Sequence, residues 1–368
     1  MIDVDTDRAL ATFLELVQID SPTYAERPII ERIAKELEAL GLPTFNDQTG
    51  RDGAGNLHVR LPGTRADRPP ILLCAHTDTV EPGRGVRATV RDGVVRTDGR
   101  TVLGADNKAS VTALLEAVRT VIRHNVPHRE VDLLFTWGEE RGHAGAALFD
   151  TTPLRATMGV TLDDTAAPGH ITVAAPAYCS ILARFLGKAA HAGDAPERGV
   201  SAIVAAAEAV RRLTLGRIDH ETTANIGLIR GGSARNTVPG MVELEGEARS
   251  LDNAKLERLV ARLREGIETA ARDAKTTLEL AIKQEYAAYR WPESADIVGE
   301  AMAAVRRAGL EPALRVSGGG SDSNTLNEKG LRCLNLAIGM KEIHTVQEHI
   351  AVDDLGRTCR IALSLITG

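Results

Sequence analysis

The sequence predicts an α/β protein: a mixed, mostly parallel sheet with helices on both faces, interrupted by an inserted ferredoxin-like α+β domain. Three observations carry this. Apolar strands such as "PPILLCAH", "EVDLLFTW" and "RCLNLAIG" are separated by helical segments and do not alternate polar with apolar, as strands covered on both sides should read. From about residue 174 the order changes to β-α-β-β-α-β. After about residue 290 the first texture resumes.

Each element has its own signal. Residues 5–18 and 25–41 place Leu10, Phe13, Leu14 and Val17, then Ile29, Ile30, Ile33, Leu37 and Leu40, at helical spacing, and Gly41 closes the second helix. "NLHVRLPG" and "PPILLCAH" follow as strands, "ATVRDGVVRT" as a hairpin turning at Asp92-Gly93, and "KASVTALLEAVRTVIRHN" as a helix. The insertion reads as a strand near 174–187, a helix near 199–213, strands near 223–230 and 240–250, a helix near 253–274 and a strand near 276–287. A helix at 294–308, the glycine-rich loop "SGGGSDSN" and a helix at 353–366 complete the chain. The expected domains are therefore a catalytic one from residues 1–173 and 290–368 and an inserted one from 174–289.

The formal charge of -6 is spread over interspersed acids and bases, so no basic patch for nucleic acid or a membrane surface is expected. Cys74, Cys179, Cys333 and Cys359 are far apart in apolar settings and read as core residues, which fits a reducing cytoplasm. The acidic start lacks the features of a signal peptide, and no long apolar run suggests a membrane span.

Five segments put acids or imidazoles at strand ends or in the loops that follow. These are His76 and Asp78, Asp106, Glu139 and Glu140, Asp163 and Asp164, and His344. In open α/β sheets such positions converge. Each alone has an ordinary explanation: Asp106 as a helix N-cap, Glu139-Glu140 as a solvated strand end, Asp163-Asp164 as a turn opener, His344 as a surface imidazole. Together they form a costly concentration of negative charge unless cations neutralise it. Imidazole and carboxylate without cysteine suit zinc, cobalt or manganese, and Asp106, on a tight strand-to-helix loop, is the best candidate to bridge two ions.

The ordered set "HTD", "GADNKAS", "GEERGHAGA", "LDD", "HAGDAPERGVSAI", "RNTVPG", "ARSLD", "GGGSDSN" and "IHTVQE" resembles the zinc-dependent exopeptidase family of peptidase T, carboxypeptidase G2 and the aminoacylases. It is nearest the peptidase T-like branch. The resemblance implies that His76, Asp106 and Asp163 hold one metal and Asp106, Glu140 and His344 the other. It implies Glu139 as general base, Asp78 as the acceptor that orients His76, and His191 as an electrophile toward the tetrahedral oxyanion. Asn236 and Arg249 would bind substrate, and the backbone at Gly319 with Ser321 would line the cleft. The family usually has Asp-Gly where this chain has Asp163-Asp164, so the ligand there stays open between the two, with Asp163 favoured. His349 is a competitor to His344. The remaining histidines, His143 among them, read as structural or surface groups.

The implied activity is hydrolysis of short peptides by an aminopeptidase of tripeptidase type, acting as a homodimer through the inserted domain. Two further readings accompany it: an N-acyl amino acid deacylase or desuccinylase with the same centre, and a non-catalytic binding protein on the same fold.

Overall fold

The computed structural model describes residues 3–368; residues 1 and 2 of the expected first segment lie outside it. The chain divides into two compact units, one running up to Ala174 and resuming over Arg290–Gly368, the other Ala175–Tyr289.

In the first unit the main sheet runs in the order Thr44–Asn46, Leu57–Leu61, Val131–Thr136, Ile71–His76, Met158–Asp164, Arg332–Ala337 and His170–Ala175. The middle four of these, Val131–Thr136 to Arg332–Ala337, are mutually parallel, and antiparallel pairs flank them. Ile71–His76 and Val131–Thr136 are buried at every residue, which explains their unbroken apolar composition. Helices Thr6–Val17, Ala105–Arg123 and Val352–Thr367 pack together over the sheet. Parallel strands share one carboxyl edge, so the loops after His76, Thr136, Asp163 and Ala337 all open at the same end of the unit.

The hairpin turns at Asp92 and Gly93, both with positive φ, and its second strand pairs with His349–Ala351. Two local expectations need correction. Glu139 and Glu140 do not finish a strand: Gly138, at φ 63°, turns the chain and places both in a single 3-10 turn, Glu139–Arg141. Nor is "SGGGSDSN" loop throughout, because Ser321 is the N-cap of the helix Asp322–Glu328.

The second unit is an antiparallel sheet ordered Gly216–Asp219, Thr222–Gly231, Met241–Ser250, Ala177–Leu186 and Thr277–Tyr286. Apart from the short edge strand Gly216–Asp219, this is the ferredoxin-like arrangement, with helices Ala202–Arg212 and Asn253–Asp273 on the sheet. The strand expected near 174–187 is Ala177–Leu186, and residues 174–175 instead end a separate strand of the main sheet, His170–Ala175. The core of the second unit includes Phe185, Ala206, Leu244, Leu259 and Ile267.

Leu133 is fully buried in the middle of the main sheet. Leu133→Ala should lower the unfolding free energy by ~2–5 kcal/mol, read as a shifted denaturation midpoint at unchanged slope.

Candidate metal centre

His76 ends a buried strand and is 2% exposed. Its Nδ1 lies 3.1 Å from the backbone oxygen of Asp78 and 3.3 Å from Asp78 Oδ1. With the Nδ1 proton donated there, the ring presents Nε2 as a lone pair. Yet Nε2 is 2.9 Å from Asp106 Oδ1 and 3.4 Å from Asp163 Oδ1. A lone pair facing two carboxylates is repulsive unless a proton or a metal cation lies among them.

The second imidazole repeats the pattern. His344 Nε2 is 3.0 Å from Glu140 Oε2 and 3.4 Å from Asp106 Oδ2. Asp106 therefore turns one oxygen to each imidazole, where the sequence alone had left a helix cap open. Ligand atoms from His76, Asp106 and Glu140, and from His76, Glu139 and Asp163, cluster within 4.8 Å of one another.

The electrostatics express the same excess of anion. Burial disfavours charge on His76, but Asp163, with hydrogen bonds to Asp106, Asp163 and Asp78, holds the imidazolium well above its ordinary value. Hydrogen bonds to Asp106 and Glu140 raise His344 to about 10. Burial drives Glu139 and Asp163 well above the carboxylate range and also raises Glu140, with neighbouring carboxylates adding to each. Asp106 is lowered despite burial, because both imidazoles bond to it. Two imidazoles and several acids that require positive charge between them are a donor set fitted to divalent ions of nitrogen and oxygen preference.

Residues 176–275 match the peptidase dimerisation domain model of the M20 peptidases. The chain is 39% identical over 366 residues to the uncharacterized protein YqjE of Bacillus subtilis (strain 168), covering 99% of this chain and 98% of that one. The crystal structure of aminopeptidase PepT from Bacillus cereus ATCC 10987 is 40% identical, with a TM-score of 0.88 over 99% of this chain and 98% of that chain. A tripeptidase structure from Staphylococcus aureus subsp. aureus Mu50 is 37% identical, with a TM-score of 0.93 over the same shares. The chain belongs to the M20 metallopeptidase family, in its peptidase T-like branch.

In this M20 peptidase the two doubled acid pairs divide their residues. Asp163 faces His76, whereas Asp164 pairs with Arg315 at 2.5 Å and accepts from Thr172 Oγ1 at 2.6 Å. Asp78 accepts the backbone N–H groups of both Glu139 and Glu140, at 3.0 and 3.2 Å, and the Thr23 hydroxyl. His349 is turned to the backbone oxygen of Gln347, and its strand pairs with the hairpin. Gly319 N–H donates to Ser317 Oγ, and Ser321 N–H to Asn324 Oδ1.

In the second unit, His191 Nδ1 accepts from the N–H groups of Gly193 and Asp194, which puts the ring proton on Nε2. The Asn236 backbone carbonyl accepts from Ala192 N–H, and the residue after Asn236, Thr237, pairs with His191 across two short strands. Arg249 is bonded through two nitrogens to Glu247 and stacks over Tyr178 at 4.7 Å.

Sequence reasoning missed three groups. His143 is buried, with Nε2 3.3 Å from Glu139 Oε1 and Nδ1 3.1 Å from Thr325 Oγ1; its signal was the i,i+4 spacing from Glu139. Glu348 is buried and accepts three backbone N–H groups, and burial still raises it to about 7. Asp322 lies under the centre, 2.5 Å from Thr136 Oγ1, and burial raises it to about 6.

With the imidazoles and the acids Glu139, Glu140 and Asp163 all raised, the folded cation-free protein binds more protons than the unfolded chain from about pH 5 to about pH 9. Its stability falls as pH rises through that window. Thermal unfolding in chelator should show the higher midpoint at about pH 5.5 and the lower at about pH 8.5; the reverse order would contradict this electrostatic reading.

Proposed function

We propose that this M20 peptidase is a two-metal aminopeptidase of tripeptidase type, cleaving the amide after the first residue of short peptides. The observation that carries the proposal is Asp106, whose two oxygens face two different imidazoles. His76, Asp106 and Asp163 would hold one ion, and Asp106, Glu140 and His344 the other, with zinc favoured and cobalt or manganese also suited to these donors. Bound there, divalent ions supply Lewis-acid polarisation of an amide carbonyl and a water acidified toward neutrality.

The chain's own groups supply the rest. Glu139 reaches the cluster beside His76 and Asp163 but pairs with neither His344 nor Asp106, and its carboxylate is proposed to take the proton of the attacking water and return it to the leaving amine. Asp78 holds the His76 ring and the Glu139-Glu140 turn in place. His191, as an Nε2 donor, is suited to stabilise the oxyanion formed at the substrate carbonyl. Asn236, Arg249, Gly319 and Ser321 are proposed to bind substrate. A cleft of about 620 Å³ beside Glu140 and His344, bordered by Tyr24, Glu81, Arg84 and Arg141, has the volume for a short peptide.

The names of the relatives, an aminopeptidase and a tripeptidase, support the peptide reading over deacylation. We assign residues 1–173 and 290–368 to the catalytic domain and 174–289 to a lid that also joins two copies of the chain in the cytoplasm. In favour of self-association, Ile203, Leu228, Ile229 and Met241 of that segment are exposed apolar groups within the matched dimerisation domain.

The direct test incubates zinc-, cobalt- or manganese-loaded protein with free di- and tripeptides beside N-acetyl and N-succinyl amino acids. Tripeptides should release amine fastest; exclusive turnover of the acyl amino acids would transfer the site to deacylation. Glu139→Gln should keep bound metal while kcat falls by ~10²–10⁴-fold. Ile229→Glu should shift the light-scattering mass from two chains toward one, and an unchanged dimer would remove this face from the interface.

A further inference from the structure

We propose that Glu348 is the positioning residue that sets the spacing of the two metal sites, by tying the loop of His344 to the backbone of the bridging Asp106. The proposal rests on the metal-centre reading above and deepens it. Glu348 is 2% exposed. Its Oε2 accepts from the N–H groups of Leu103 and Gly104, at 2.7 and 2.8 Å, and its Oε1 from the N–H of Asp106 itself, at 2.9 Å.

Both ends of this tie are defined. On one side, Lys341 and His349 exchange backbone hydrogen bonds and close the loop 341–349, with His344 at its outer part and Glu348 at its base. On the other, Gly104 has φ 75° and sits 3.1 Å, at the place a Cβ would take, from Thr79 Cγ2, so the backbone there is committed to the turn that presents these N–H groups. Asp106 itself has a non-helical backbone, φ -80° and ψ 96°, within the contour of its helix. Glu348 satisfies its N–H where the helix ladder does not. The 3.4 Å between Asp106 Oδ2 and His344 Nε2 is thus set through a short path: His344, three residues of loop, the Glu348 carboxylate, and the Asp106 amide. Glu348 does not face the cluster and needs no role as a ligand or in proton transfer.

The three donors demand a carboxylate of this length. In Glu348→Gln the amide oxygen can keep two of the N–H bonds, but its NH₂ must then face the third N–H, donor against donor. In Glu348→Asp the chain is one methylene short. Removal of such an anchoring partner typically weakens metal binding or activity by ~10–100-fold.

The test measures zinc affinity by competition with a chromophoric chelator, the visible absorption spectrum of the cobalt-loaded protein, and kcat and KM separately, for wild type, Glu348→Gln and Glu348→Asp. Thermal unfolding checks that each variant folds. The expected result is ~10–100-fold weaker binding of one or both ions, a changed cobalt spectrum in folded protein, and a loss in kcat with KM little moved, milder in Gln than in Asp. A merely structural Glu348 would lower the melting temperature yet leave affinity and spectrum unchanged, and that outcome overturns the proposal. Failure of wild type to bind two ions per chain would overturn the metal-centre reading instead, so the two failures are distinguishable.

Discussion

The constraint on which the upper end of the first unit depends is that an imidazole lone pair and several carboxylate oxygens share one buried place. His76 Nε2 within 2.9 Å of Asp106 and 3.4 Å of Asp163 is unfavourable unless positive charge lies between them. Without metal the imidazoles must carry that charge as protons, which is why both are held high. Divalent ions held by these residues would replace the protons and leave both rings neutral, so metal and protons would compete for the same lone pairs.

The sheet makes this concentration of charge possible. Four adjacent parallel strands deliver their carboxyl ends to one edge. Gly104 and Gly138 take positive φ immediately before the Asp106 and Glu139-Glu140 segments, and His344 itself sits at φ 61°. Side chains on such turns are placed by backbone geometry, and the apolar strands beneath, buried throughout, hold the turns at fixed separation.

Much of this was readable in the residues themselves. Uninterrupted apolar strands announced a sheet covered on both faces, and the β-α-β-β-α-β order announced the insertion. Which of Asp163 and Asp164 turns to His76 was readable only as a preference for Asp163, because the answer depends on Arg315, more than 150 positions away, being aligned beside Asp164 by a parallel strand pair at the sheet's far side. Asp106 could pass for an N-cap because its departure from helical backbone has no one-residue signature. His143 and Glu348 were passed over for different reasons. The i,i+4 spacing of His143 from Glu139 was a local signal left unread, whereas Glu348 matters through the Asp106 amide, 242 positions away, and sequence spacing reports neighbours along the chain better than neighbours across a fold.

Asp78 and Glu348 show how such a centre can be built without further crowding. Each is a buried carboxylate, and each spends its oxygens mainly on backbone N–H groups: those of Glu139 and Glu140 for Asp78, those of Leu103, Gly104 and Asp106 for Glu348. A side chain anchored to another side chain inherits that partner's rotamer freedom, whereas one anchored to an amide fixes the peptide plane from which the neighbouring ligand springs. Charged acceptors also make the stronger hydrogen bonds, so a carboxylate can hold amides that an uncharged side chain would hold less firmly. Between them the two acids secure the backbone of Asp106, Glu139 and Glu140. His76 and Glu140 are thereby tied together through Asp78, and Asp106 and the loop of His344 through Glu348, two acids that do not point at the centre, which gives a chain already burdened with buried anions a use for two more.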